Sequence, residues 1–164
     1  MTLPEPQALN SVMDFHRLFG AYIWDKPHIP DAKTCELRIN LLQEELNELK
    51  DAIANNDLTE VADALTDMQY VLSGAVISFG LQDFFVNLFD EVQRSNMSKA
   101  CTTQEEAQET IKKYESLDQQ GSIIEKNGVY LVLREMDKKV LKSVSYSPAN
   151  LQDIIHKYTE NEEK

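Results

Sequence analysis

The chain has 164 residues, which suits one compact domain with a small appendage and is enough to bury a core without disulfide staples. Hydrophobic residues make up 42% of it, which argues against disorder, and a net charge of −12 makes it a poor candidate for gripping duplex nucleic acid through the phosphates. No apolar run reaches the ~20 residues a membrane span needs. The N-terminal MTLPEPQALN lacks a basic region followed by an apolar stretch, so Cys35 and Cys101 are expected as reduced thiols in a cytoplasmic protein.

Residues 7–19, QALNSVMDFHRLF, place Val12, Phe15 and Phe19 at helical spacing, with Gly20 as a natural stop. AYIWDKPHIPDAK carries two prolines and reads as an ordered loop, in which Asp31 is placed to cap the next helix. That helix is predicted to run to about Ala54, and Asn55-Asn56-Asp57 is turn chemistry. A second long helix covers about 59–79 and ends at Gly80. A third, opened by Asp83, puts Phe85, Phe89 and Val92 on one face and ends near RSNMSK.

Beyond residue 100 the character changes. Thr103 and Glu106 form a capping box for a helix over about 104–117. Asn127-Gly128 between β-branched runs signals a hairpin. Asp137-Lys138 is expected to turn the chain into a third strand, and Ser147-Pro148 to open a final helix over about 148–158. The expected fold is mainly α: an antiparallel helical bundle over residues 1–100, then an appendage over 101–164 with a helix, a β-hairpin or three-stranded sheet, and a final short helix.

The acids of residues 44–67 have a definite placement. With ~100° per residue, Leu42, Leu46, Leu49 and Ile53 cluster as one apolar stripe. Leu41, Glu45, Glu48 and Ala52 form a row beside it, and Glu44 flanks Glu48 one turn away. In the following helix Val61, Ala64, Leu65, Met68, Leu72, Ala75 and Phe79 form the stripe, and Glu60, Asp63 and Asp67 share an arc at its border. Gly74 and Ser78 continue that acidic row, leaving room for something to lie along it. Crowded carboxylates repel and are costly to desolvate, and a hard cation resolves both costs. All-oxygen ligands suit Mg²⁺ first, with Mn²⁺ as a substitute, and Mg²⁺ commonly shares its sphere with substrate phosphates. The bland alternative is a solvated acidic flank on two helices. A di-iron bundle would want Glu-x-x-His pairs, and none of His16, His28 and His156 follows a Glu at that spacing.

EELNE at 44–48 followed by EVAD at 60–63 resembles the E-E-x-x-E … E-x-x-D signature of the all-α nucleoside triphosphate pyrophosphohydrolases. DFHRLFG, the LR before the first acidic row, DALTDMQYVLSG and DEVQRSNMSK are similar to the MazG-like, phosphoribosyl-ATP-pyrophosphohydrolase-like branch, so the resemblance spans about residues 12–100. It implies a helical bundle that assembles as a homodimer or homotetramer. It also implies hydrolysis of a nucleotide between the α and β phosphates, giving a monophosphate and pyrophosphate. Glu45 and Glu48 match the metal ligands of the first motif, with Glu44 as ligand or as orienter of the attacking water. Glu60 and Asp63 match the second. Eleven residues separate Glu48 from Glu60, at the short end of the pattern, and Asp67 precedes MQY much as the family's Asp precedes LLY in some members, so Asp63 and Asp67 both stand as ligands.

Asn96 and Lys99 are expected at the phosphates or sugar, with Arg94 a weaker candidate. His16 is either a packed histidine or part of a base pocket. Arg38 is expected to pair with the acids. Tyr22 and Trp24 either stack on a base or plug a core. The expected activity is Mg²⁺-dependent nucleoside triphosphate pyrophosphohydrolysis. The competing reading is a catalytically silent bundle that binds nucleotide and metal. No functional role is assigned to the helix after residue 103.

Overall fold

The computed structural model describes residues 3–160. In chain order its elements are α1 (Ala8–Phe19), α2 (Ala32–Ala54), α3 (Leu58–Ser78), α4 (Phe85–Met97), α5 (Gln104–Glu115), β1 (Gly121–Lys126), β2 (Val129–Arg134) and α6 (Leu151–Glu160). The fold is mainly α with a small antiparallel sheet, as the patterning predicts. Among the described residues two compact units are present, one of residues 3–85 together with 158–160, the other Val86–Lys157. Among the described residues no helix is long and apolar enough to cross a membrane.

In the first unit local chemistry sets the helix ends. Gly20 takes the left-handed conformation after α1, with φ 67°, and Ala21 N–H closes onto His16 C=O. Asp31 caps α2 by accepting from Thr34 N–H at 3.0 Å. Asp57 caps α3 by accepting from Thr59 and Glu60 N–H, so the turn between α2 and α3 is three residues long and the two helices run antiparallel. Gly80, at φ 69°, ends the turn after α3 while Leu81 N–H donates to Val76 C=O. α1 and α2 both pack on α3. Val12, His16, Ala52, Ala64, Val76, Ile77, Ser78 and Phe84 are buried, and the Phe84 ring stacks on Tyr158 at 4.4 Å.

The apolar stripes lie differently from expectation. On α2 the sheltered residues are Cys35, Arg38, Leu41, Leu42, Glu45, Leu49 and Ala52, whereas Leu46 and Ile53 are exposed, Ile53 by 62%. On α3 Leu65 and Leu72 are exposed as well, and so are Phe15, Phe19 and Phe89 on their helices. The face that meets the rest of the unit is therefore the row containing Glu45, one step round from the most apolar stripe. Of that stripe Leu42 and Leu49 are sheltered, and Leu46 and Ile53 are left uncovered.

The second unit is built around Cys101, Ala107, Val132 and Leu141, with Ile111, Tyr114 and Tyr130 packed against them. β1 and β2 pair antiparallel from Gly121↔Arg134 to Lys126↔Val129, closed by the two-residue turn Asn127-Gly128 with φ 52° and 79°. Both angles are positive, as a type I′ turn requires. The expected third strand is reduced to one bridge, Leu133↔Val140. Asp137 accepts from Arg134 and from Lys139 N–H, and Lys138 takes φ 57°, which folds the chain too tightly for a longer ladder. The final helix begins at Leu151 instead of near residue 148. Asn150 is its cap, accepting from Asp153 N–H at 3.3 Å while its own amide donates to the Asp153 carboxylate. Thr103 caps α5 as expected, but Glu106 reaches back to Thr102 N–H instead of that of Thr103.

Candidate active site

The acids of the first unit occupy facing stretches of α2 and α3. Glu45 is the one turned inward, and its Oε2 is shut off from water without a hydrogen-bond partner. An ionised oxygen left so costs free energy, because nothing replaces the lost hydration. Burial pushes the Glu45 carboxyl above its ordinary range, and the charges of Glu48, Asp67, Glu44 and Asp63 push it further the same way. Five of the six predicted acids are thus electrostatic neighbours across the α2–α3 pair. Asp63 and Asp67 are both in the group. Glu60 stands in the first turn of α3, where its N–H is held by Asp57, and it is not among the charges felt by Glu45.

Glu44, Glu48, Glu60, Asp63 and Asp67 are solvent-exposed. Among the described residues no three carboxylate, imidazole or thiol groups converge as a ready cage for an ion. The donor set nevertheless fits a hard divalent cation. It is all carboxylate, it repels itself, and it holds one oxygen whose lost hydration is uncompensated.

Next along α3 comes what lies on the small residues. Arg38 crosses from α2, and its Nε donates to Ser78 Oγ at 2.9 Å. A Cβ on Gly74 would meet Arg38 Nη1 at 2.8 Å and His16 Nε2 at 3.3 Å, so both groups lie directly against this glycine. His16, only 2% exposed, donates from Nδ1 to Tyr22 C=O at 2.8 Å and receives Arg38 Nη2 at 3.4 Å. That arrangement needs a neutral imidazole. Burial lowers its pKa, with Arg38 acting the same way against the Tyr22 bond. The expected pairing of Arg38 with the acids is not made. It is a half-buried cation held by a hydroxyl and an imidazole, and among the described residues it has no carboxylate partner. The His16 bond also tethers the loop in which Tyr22, Trp24 and His28 stack, at 5.2 and 4.3 Å between successive rings.

In the second unit, Lys99 Nζ donates to Asn96 Oδ1 at 2.7 Å just past the end of α4. Arg94 is engaged otherwise: it makes a two-pronged pair with Glu91 at 2.7 and 2.8 Å and donates to Pro148 C=O at 3.1 Å. That pairing draws the Glu91 carboxyl down to about 2.

Residues 12–96 match the family of phosphoribosyl-ATP pyrophosphohydrolases, just over half of the chain. The chain belongs to that family. It is also similar to uncharacterized protein L479 of Acanthamoeba polyphaga mimivirus, 24% identical over 88% of this chain and 94% of that one. Membership of the phosphoribosyl-ATP pyrophosphohydrolase family makes this a nucleotide pyrophosphohydrolase-type protein, a hydrolase of phosphoanhydride bonds. The matched residues take in His16, Arg38, all six acids, Arg94 and Asn96, and stop short of Lys99. Sequence reasoning undervalued Arg38. The signal was present in Gly74 and Ser78, two small residues one turn apart opposite a long cationic side chain.

Proposed function

We propose that the chain is a Mg²⁺-dependent nucleoside triphosphate pyrophosphohydrolase that splits its substrate between the α and β phosphates, releasing pyrophosphate and a monophosphate. The observation that carries this reading is the Glu45 carboxylate, with its unpartnered oxygen, among four further acids. Glu45, Glu48, Glu60, Asp63 and Asp67 would hold the ion, which when bound would neutralise phosphate charge and favour in-line attack by water. Glu44, exposed one turn from Glu48, would orient that water and take its proton. Lys99 and Asn96 bind substrate phosphate or sugar. Arg94, the weaker candidate, has its guanidinium engaged by Glu91 of its own helix and by Pro148 C=O. Arg38 offers its remaining donors to the substrate, and His16, buried with both ring nitrogens engaged, holds Arg38 and the Tyr22 loop in place.

The exposed apolar stripe of Leu46, Ile53, Leu65 and Leu72 supports a homodimer or homotetramer, which sedimentation at graded concentration tests; a strict monomer at every concentration refutes it. The two free cysteines agree with a reducing, cytoplasmic setting.

The deciding experiment is a panel of ribo- and deoxyribonucleoside triphosphates assayed for pyrophosphate release with and without Mg²⁺. At least one should turn over only with the metal, and Glu48→Gln should abolish that activity. If no nucleotide turns over, or if Glu48→Gln hydrolyses as fast as the parent, the site assignment fails.

A further inference from the structure

The second unit contains a constellation that the acidic site does not explain. α5 presents Glu106, Thr110 and Tyr114 on one face, each one turn after the last. All three grip the same short stretch of chain. Glu106 accepts from the Ser143 hydroxyl, Thr110 Oγ1 accepts from Val144 N–H at 3.1 Å, and Tyr114 Oη accepts from Lys142 N–H at 3.1 Å. Leu141, just before, is in the core with Val132.

The other side of that stretch is fastened to the end of α4. Ser143 N–H donates to Lys99 C=O at 3.3 Å. Ser147 N–H donates to Ser98 Oγ at 3.0 Å, and the Tyr146 hydroxyl meets Ser95 Oγ at 3.0 Å. Residues 142–147 form no helix or strand, yet they are pinned from both sides.

What this pinning places together is cationic. Lys142 Nζ stands over the Tyr146 ring, 4.5 Å from its centre. Lys99 lies one turn after Ser95, the residue that holds the Tyr146 hydroxyl. Neither lysine has a carboxylate partner among the described residues, although the chain carries 28 acids to 16 lysines and arginines. Arg94 on the same helix, by contrast, is fully paired to Glu91. The fields of Lys142, Lys99 and Arg94 also lower the Tyr146 phenol, after its bond to Ser95.

We propose that Lys99, Lys142 and Tyr146 form a clasp for a diphosphate group, and that α5 is the rail that holds Lys142 and Tyr146 in place. Two ammonium groups supply mobile donors and charge, and the phenol, held by Ser95, adds a hydroxyl on the ring that Lys142 covers. Identifying the anion as the diphosphate end of a nucleotide rests on the function proposed above; the clasp itself does not, because it lies in the second unit and needs no metal. It gives a role to the part of the chain beyond the residues that match the family.

Inorganic pyrophosphate titrated into the full chain in EDTA, followed by calorimetry and by ³¹P NMR, tests this. The parent should bind one equivalent saturably. Lys142→Met should weaken binding about tenfold, Tyr146→Phe several-fold, and Lys142→Arg should restore most of it. Glu48→Gln should bind like the parent, which separates the clasp from the acidic site. Because Lys142 is exposed, its substitution should leave the melting curve unchanged. Should it not, the shift of the Lys142 Nζ signal on adding pyrophosphate to the parent gives the same answer without a variant. Absence of saturable binding, equal affinity in a folded Lys142→Met, or equal competition by sulfate at matched ionic strength would overturn the proposal.

Discussion

Replacing Glu45 by Gln should raise stability and remove metal response at once. The substitution keeps the shape of the side chain. It exchanges an ionised oxygen buried without a partner for a neutral amide, which is cheaper to desolvate. It also removes repulsion from Glu48, Asp67, Glu44 and Asp63. Each like-charge contact on or between helices costs a few tenths of a kcal/mol, and these neighbours are solvent-screened, so the total gain is about 1 kcal/mol. In a chain of this size that raises Tm by roughly 2–4 °C.

Mg²⁺ at about a hundred times its dissociation constant should stabilise the parent by about 2.7 kcal/mol and the variant by far less. The order of the two melting temperatures therefore reverses between EDTA and Mg²⁺. Thermal melts of both proteins, with Ca²⁺ and Mn²⁺ as further arms, read this directly. A variant less stable than the parent in EDTA, or one that gains as much from Mg²⁺, refutes the argument that these acids are strained for want of a cation.

Two further outcomes concern the frame. Glu106 is held at about 2 by its bond from Ser143 and those from Thr102, below the ordinary 4.5, so its contribution to stability is complete above pH 4.5 and is lost as pH falls towards 2. Urea midpoints measured across that interval should fall with pH in the parent and much less in Glu106→Gln; parallel profiles would dismiss the bond as a source of stability. Gly80→Ala should destabilise by about 3 kcal/mol, from the left-handed backbone and the lost His28–Phe79 bond together with a Cβ placed 2.0 Å from Lys26 C=O. A Tm within 2 °C of the parent's by calorimetry would show that the Lys26–Pro27 backbone yields freely, which is about the shift that 1 kcal/mol gives in a chain of this size.

Local signals read true wherever the chemistry closes within a few residues. Asp31, Gly20, Gly80, Thr103 and Asn127-Gly128 each do in the structure what their types demand. Asn150 was hidden behind Ser147-Pro148, an equally good opening whose proline lies outside the helix. The third strand is cut to one bridge because Asp137-Lys138 marks a turn without fixing how tightly it closes. The stripes are covered only in part, Leu42, Leu49, Ala64 and Met68 sheltered and Leu65 and Leu72 not: periodicity shows which side of a helix is apolar, not whether its own chain covers it. Leu46 and Ile53 are as apolar as any core residue and lie outside. The acids were found as a group because they repel in a pattern. The resting place of Arg38 depended on packing between α2 and α3, which no single helix displays.

The rail formed by α5 also changes how time should be read in the chain's least regular segment. The amides of Lys142 and Val144 end on side-chain oxygens of α5, so they can exchange with solvent only when Tyr114 and Thr110 let go. A stretch with no helix or strand of its own should therefore exchange these hydrogens at the pace of a helix, and the slow amides of Lys142 and Val144 would report the opening of α5.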